Sequence, residues 1–309
     1  MQKHFLWPKT KFLLRNCFGF ISVRKLEDRL SEMFPSAYPV VCSSGRVALF
    51  IALKELNLTR KNNLKIFPFA SHCVLNIVGQ ITSPNSNKDL AANTELIYHQ
   101  WGYSHKSKMN TIIEDSVDSL YLPGSKLLSK GGLFEIWSFN KILGCSSGGV
   151  LWCKNKKDAE RIRKKIKNGP LIFFQWALRL LSLKFSTLYK YWNAGEFGYL
   201  GISIFQSNEI WTMLKKWDFF IEDRLSKLSQ LIEHSVISEI NTESRLPCVI
   251  NIDPKALISF DKLNDEIGIR HFDKNRNSSC QELIKVAPIP IHQDVTNDEI
   301  DKLTKKISN

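Results

Sequence analysis

The stretch IWSFNKILGCSSGGVLW, residues 136–152, decides how the rest of the chain is read. An apolar run, Leu133 to Ser138, has the length of a short strand, and Gly149 to Cys153 reads as a second. Between them stand Lys141 and a loop of glycine and serine. A lysine at the end of a buried strand is partly desolvated, loses its proton more easily and can form a Schiff base with an aldehyde. Taken alone, a solvated surface lysine is far the commoner reading.

Working outward, Val40-Val41-Cys42 is a short buried strand that leads through Ser43-Ser44-Gly45 into a helix, Arg46 to Leu56, with Leu49, Leu53 and Leu56 on its apolar side. Residues 24–34 form another helix, with Leu26, Leu30 and Phe34 on one stripe. Leu64 to Phe69 is a strand followed by a helix through about Gln80, and Leu96 to His99 and Thr111 to Ile113 are further strands. Short apolar strands alternating with helices predict an α/β fold with a largely parallel sheet. Two places in it can carry chemistry. The Ser44-Gly45-Arg46 turn opens a helix, where backbone amides and the helix dipole favour a phosphate, although on this motif alone a plain serine N-cap is the better reading. Glu114-Asp115 ends a strand, and ligands of open α/β sheets bind beyond strand carboxyl ends; a helix N-cap is the competing reading.

After residue 155 the pattern changes. Residues 156–235 read as a mostly helical connecting region, and residues 236–309 as a small C-terminal α+β domain. Its elements are Cys248 to Ile252, a helix over Lys255 to Gly268, Leu283 to Pro288 and a helix over Asn297 to Ile307. Pro288 and Pro290 hold residues 288–292 extended. Residues 1–155 form the large domain.

The formal charge is +13, concentrated in Lys3–Arg15 and Lys154–Lys167. It suits an anionic partner such as a phosphorylated substrate, nucleic acid or a membrane surface, although the second run, with Ile162 and Ile166 at helical spacing, reads first as a solvated helix face. No nucleic-acid-binding signature appears, so no nucleic acid is expected. Seven scattered cysteines form no CxxC pair and no metal spacing, which indicates a reducing compartment and no metal. No signal peptide and no ordinary transmembrane helix are predicted, so the expected location is cytoplasmic. Residues 170–192 combine aromatic and aliphatic bulk with Arg179, Lys184 and Lys190; they suit a buried helix pair or dimer contact, or else a membrane interface.

Phosphate turn, strand-end acid and Ser-x-x-Lys occur in an order that resembles the DegT/DnrJ/EryC1/StrS sugar aminotransferases, within the fold-type-I pyridoxal-phosphate enzymes. The matching stretches are CSSGRVALFIALKEL (42–56), FPFASHCVLNIV (67–78), LIYHQWGY (96–103), IIEDSVDS (112–119), IWSFNKILGCSSGGVLW (136–152) and VAPIPIHQDVTNDEIDKLTKKI (286–307). The resemblance implies a fold-type-I aminotransferase-like large domain and a cofactor, pyridoxal 5'-phosphate. It implies that Lys141 anchors the cofactor and shuttles a proton, and that Asp115 faces the pyridine nitrogen. Ser44, Gly45, Arg46 and Ser138 would hold the phosphate, and His72 would cover the ring's face. The implied reaction is amino-group transfer, from glutamate, to a keto group of a nucleotide-linked hexose in polysaccharide or lipopolysaccharide biosynthesis, carried out by a homodimer.

Several positions depart from the family pattern. Arg46 replaces a usual threonine, and Asp118 replaces the neutral glutamine that commonly meets the cofactor's 3-oxygen. A second acid there repels that oxygen unless protonated or turned away. Ser138 and Lys141 are closer than in most members. Only 37 residues separate Asn76 from Glu114, so a strand and a helix of the large domain are expected to be missing. The asparagine that relatives bring from a partner subunit has only Asn208 as a candidate. These departures support an alternative, a degenerate member that binds without transaminating.

Overall fold

A computed structural model describes residues 6–10, 19–86, 92–167, 170–188, 198–233, 244–254, 268–278 and 281–307. The helix expected over Lys255 to Gly268 and most of the Lys3–Arg15 run lie outside these residues. Seven strands form the central sheet: β1 (Tyr38–Cys42), β2 (Asn63–Lys65), β3 (Ser83–Asn85), β4 (Thr94–Tyr98), β5 (Thr111–Asp115), β7 (Phe134–Ser138) and β8 (Gly149–Cys153). Their order is β1-β8-β7-β5-β4-β2-β3. The β7–β5–β4–β2–β3 pairings are parallel, and only β8 runs against its neighbours. The reversal follows from the short link between β7 and β8, which leaves no room for a crossover back to the sheet's other end.

Alternation along the strands sorts side chains to two faces. Ile136 and Leu151 pack with Val47, Ile51 and Ile162 on one side, covered by α2 (Gly45–Glu55), α3 (His72–Ile81) and α5 (Lys156–Lys165). Trp137, Val150 and Trp152 point the other way, among Leu26, Leu30 and Phe34 near α1 (Val23–Met33) and Ile210, Trp217 and Phe220 of the later helices. Trp137 lies 5.0 Å from Tyr121 and 5.9 Å from Trp217, ring centre to ring centre, nearly parallel to both. Such pairs add about 0.5–1.5 kcal/mol each beyond the area they bury.

The expected loss of a strand is corrected by the structure: the sheet runs without a gap from β1 to β3. The described link from β4 to β5, residues 99–110, holds a single 3-10 turn, Gln100–Gly102. That turn is tight enough to hold Trp101 at φ 56°, a left-handed conformation uncommon for a bulky residue.

The helical region contains α5, α6 (Pro170–Lys184), α7 (Ile204–Leu214) and α8 (Trp217–Glu233). Beyond it, β10 (Val249–Ile252), β11 (Arg270–Asp273) and β12 (Leu283–Pro290) make an antiparallel sheet of order β10-β12-β11, followed by α9 (Asn297–Ile307). Pro288 and Pro290 sit in the central strand at positions that face only β10, past the end of β11's pairing, so their missing N–H groups cost the ladder nothing on that side. A two-residue ribbon, β6 (Leu120–Tyr121) with β9 (Arg245–Leu246), ties the two parts together.

Candidate active site

The site lies beyond the carboxyl ends of β1, β4, β5 and β7. Gly149 pairs with Cys42 on one side and Ser138 on the other, which brings the ends of β1 and β7 to one place. A Cβ on Gly149 would come within 2.4 Å of the Ser44 carbonyl carbon and 2.6 Å of the Gly45 nitrogen, so only glycine lets the helix entrance settle there. Ser44 is the N-cap of α2 and accepts from the Val47 amide at 3.2 Å. The amides of Gly45 and Arg46 precede it in the first turn, where a helix offers no acceptor of its own.

Asp115 closes β5. Its side chain is buried and accepts from the Val117 amide at 3.2 Å. Burial pushes the Asp115 carboxyl up to about 7; Lys141 opposes the rise and Asp118 adds to it. Lys141 stands in α4 (Phe139–Leu143), which ends at once because Gly144 takes a left-handed φ of 72°. The amine is 3.1 Å from Asp118 Oδ1 and 4.4 Å from the centre of the Trp7 ring. Burial disfavours its charge, yet Asp118, Cys73 and Asp115 together hold Lys141 above the ordinary lysine range. Asp118 is buried and has further donors in Trp7 Nε1, at 2.7 Å, and the Tyr98 hydroxyl. Burial and the two acids keep that hydroxyl protonated far above the usual tyrosine range.

These groups surround a cavity of about 660 Å³. Of the eight residues singled out from sequence, Ser44, Gly45, Arg46, Asp115, Ser138 and Lys141 line it, while His72 and Asp118 do not. His72 is exposed at the start of α3 and its neighbours Ser71 and Cys73 face the space instead, because the helix turns one residue outward there. Asp118 lies behind the wall, covered by its three donors. Asn208 is buried, with its amide accepting from the Ile21 N–H and donating to the Gly19 carbonyl of its own chain.

Residues 26–309 match a family model described as "Putative PLP-dependent aminotransferase". The chain belongs to this aminotransferase family. No curated protein matches the chain. Among solved structures, the aminotransferase is similar to a "putative sugar aminotransferase" from Streptococcus pneumoniae in its PMP form, at 12% identity and a TM-score of 0.63, covering 98% of this chain and 96% of that one. It is similar to a DegT DnrJ EryC1 StrS aminotransferase from Brucella abortus at 14% identity and a TM-score of 0.60, over 93% and 90% of the two chains. DesV of S. venezuelae gives 12% identity and 0.59, over 94% and 90%. At such identities the likeness speaks to the fold, which is that of the fold-type-I sugar aminotransferases.

The aminotransferase's cofactor is pyridoxal phosphate, and the donor set around the cavity suits it. An amide-rich turn with Arg46 and Ser138 matches a phosphate, the buried Asp115 carboxyl matches a ring nitrogen, and Lys141 matches an aldehyde. Sequence reasoning missed Trp7, Phe67, Phe69, Tyr98, Gln100, Trp101 and the 269–271 segment of the small sheet, all of which line the space. Tyr98 and Trp101 lay within a stretch already matched to the family, so their aromatic character was the available signal. Nothing in the basic N-terminal run marked Trp7.

Proposed function

We propose that this aminotransferase moves an amino group from glutamate to a keto group of a nucleotide-linked sugar, with its cofactor held at Lys141. The observation that supports this is the convergence of Lys141, Asp115 and the Ser44–Arg46 turn, from three distant parts of the chain, around one 660 Å³ cavity. When bound, pyridoxal phosphate supplies an electron sink beside the amine being transferred. The chain's residues do the rest. Lys141 anchors the cofactor and then carries a proton between carbons. Asp115, poised near neutrality by burial, ionises against a cationic ring nitrogen and keeps it protonated. The Gly45 and Arg46 amides with Ser138 take the phosphate.

The outer part of the cavity, bounded by Phe69, Arg270 and His271, offers aromatic faces and a cation to a larger anionic substrate. Phe69 and His271 stack 3.9 Å apart and link the loop after β2 to the small sheet. The positive net charge suits a diphosphate, and a place in polysaccharide or lipopolysaccharide biosynthesis, in the cytoplasm, follows from such a substrate. No helix among the described residues is long and apolar enough to cross a membrane.

A homodimer belongs to the same reading. Phe174, Leu181 and Phe185 are exposed along α6 and its end, and with half-buried Leu178 they follow the spacing by which one helix meets another. We read the occupant as a second copy rather than a lipid surface; sedimentation as a monomer together with flotation on liposomes would reverse the preference. The catalytic reading is tested by half-reactions. Glutamate should bleach the cofactor's absorbance, and a nucleotide-linked keto sugar, but not the free hexose, should restore it. Bleaching by glutamate with restoration by simple 2-keto acids alone would reject the sugar.

A further inference from the structure

We propose that Trp7 is a positioning residue for Lys141, carried on an N-terminal strap, residues 6–10, that completes the wall of the amine's pocket. The proposal rests on Lys141 being the cofactor's anchor. The strap is held at both ends of its course. Leu6 and Trp7 pack against a cluster that joins Trp101, from the turn after β4, to Val249 and Phe272 of the small sheet. Lys9 N–H donates to Asp294 at 2.6 Å, and Thr10 Oγ1 accepts from Asn140, the neighbour of Lys141, at 3.0 Å. Gly144, which ends the lysine's helix, lies close beneath the strap: a Cβ there would stand 3.0 Å from the Lys9 carbonyl oxygen and 3.1 Å from Pro8 Cβ. The same glycine thus stops α4 after Lys141 and admits the strap.

Within this frame the Trp7 indole acts twice on one amine. Its face lies 4.4 Å from Lys141 Nζ, and its Nε1–H donates to Asp118 Oδ1, the oxygen that also pairs with Lys141. A ring face attracts an ammonium and excludes water from one side of it. The indole N–H fixes the carboxylate so that Oδ1 points at the amine while Oδ2 takes the Tyr98 hydroxyl. With Lys141 side chain 23% exposed, toward the cavity, the strap leaves the amine one open direction, the one a cofactor occupies.

The test reads the amine itself in cofactor-free protein. The acetylation rate of Lys141 is followed at pH 8 by peptide mass spectrometry in the parent, Trp7→Ala and Trp7→Phe, with buried Lys227 as an internal control for general loosening. Trp7→Ala should raise the Lys141 rate on the order of tenfold, as a lowered proton affinity and freer access act together, with Lys227 unchanged. Trp7→Phe, which keeps a ring face, should recover most of the protection. The proposal is overturned if Trp7→Ala labels Lys141 at the parent's rate, if Lys227 accelerates in parallel, or if Trp7→Phe behaves as Trp7→Ala. Because no cofactor is present, attachment of pyridoxal phosphate to another lysine would refute the anchor reading without touching this result.

Discussion

Two buried acid clusters stand back to back at the end of β5. Asp115 faces the cavity with Asp118, Tyr98 and Lys141 nearby. Glu114, its neighbour in sequence, points to the opposite face of the sheet, as alternation requires. There Glu114 accepts from His99 Nε2 at 3.0 Å and from the Lys130 and Gly132 amides at 3.0 and 3.1 Å. His99 Nδ1 accepts from the His105 N–H, so its proton sits on Nε2 and the ring is neutral; burial drives His99 well below the usual histidine range. Beside it, Glu135 takes the Tyr121 hydroxyl at 2.5 Å, the Trp137 indole at 3.0 Å and the Leu128 amide at 2.7 Å. Arg245 lies over the Tyr121 ring and donates to Ser116 and Ser129. Burial pushes both Glu114 and Asp115 upward. What separates them is an open space and an amine. The closed cluster seals the long connection from β5 to β7, residues 116–133, which carries β6 and no helix, while the open one is left with capacity for a ligand.

That contrast can be broken by mutation. Lys141→Ala carries the largest effect: loss of the cofactor's covalent absorbance and a fall in transfer of about 10⁴-fold, the upper range for a proton-transferring anchor. A fall of tenfold or less, measured as half-reaction rate, would place the chemistry elsewhere.

Asp115→Asn comes next and should act in opposite senses on binding and stability. In cofactor-free protein the folded Asp115 carboxyl sits at about 7, above its ordinary value near 3.8. Between those pH values the folded state keeps a proton that the unfolded state has released, so stability falls as pH rises through this window. The asparagine variant escapes that loss. It should be more stable than the parent at pH 8, by about 4 kcal/mol at most, with little difference near pH 4, and should bind cofactor more weakly. Urea unfolding at the two pH values measures this, and an equal difference at both would contradict it.

On the closed side, Glu135→Leu strands three donors and should cost about 3 kcal/mol of unfolding free energy. Activity per folded molecule should stay within about twofold, a separation between folding and chemistry that Asp115→Asn does not share. A large loss of activity at full stability would mean that the two clusters act as one. The smallest change is Asp118→Asn. Among the groups holding Lys141 up, Asp118 is the strongest, so the lysine's titration midpoint should fall. Labelling of Lys141 against pH checks it.

How much of this was legible in sequence follows from what each part depends on. Strands β1, β4, β5, β7 and β8 and the last helix, Asn297–Ile307, announce themselves by short apolar runs and periodicity, and they carry Ser44, Asp115, Ser138 and Lys141 to the cavity because strand ends sit where the topology puts them. β3 (Ser83–Asn85) and β11 (Arg270–Asp273) were not legible: runs of three or four residues with at most one large apolar side chain become strands only through their neighbours' ladders. The stacking role expected of His72 was a matter of one residue's helical rotation, about 100°, which a motif does not specify. Trp7 and the Ile269–His271 segment reach the site through tertiary packing from the two ends of the chain, and Asp118 is withdrawn behind the wall by donors that sequence spacing does not reveal.

Every catalytic role proposed for this chain turns on Lys141 as the cofactor's attachment point. Loading the protein with pyridoxal phosphate, reducing with borohydride and mapping the modified peptide tests it directly. The expected result is one pyridoxyl group, on Lys141, in the peptide that contains Ser138. A group found on any other lysine, or none after reduction of a visibly loaded protein, would contradict it.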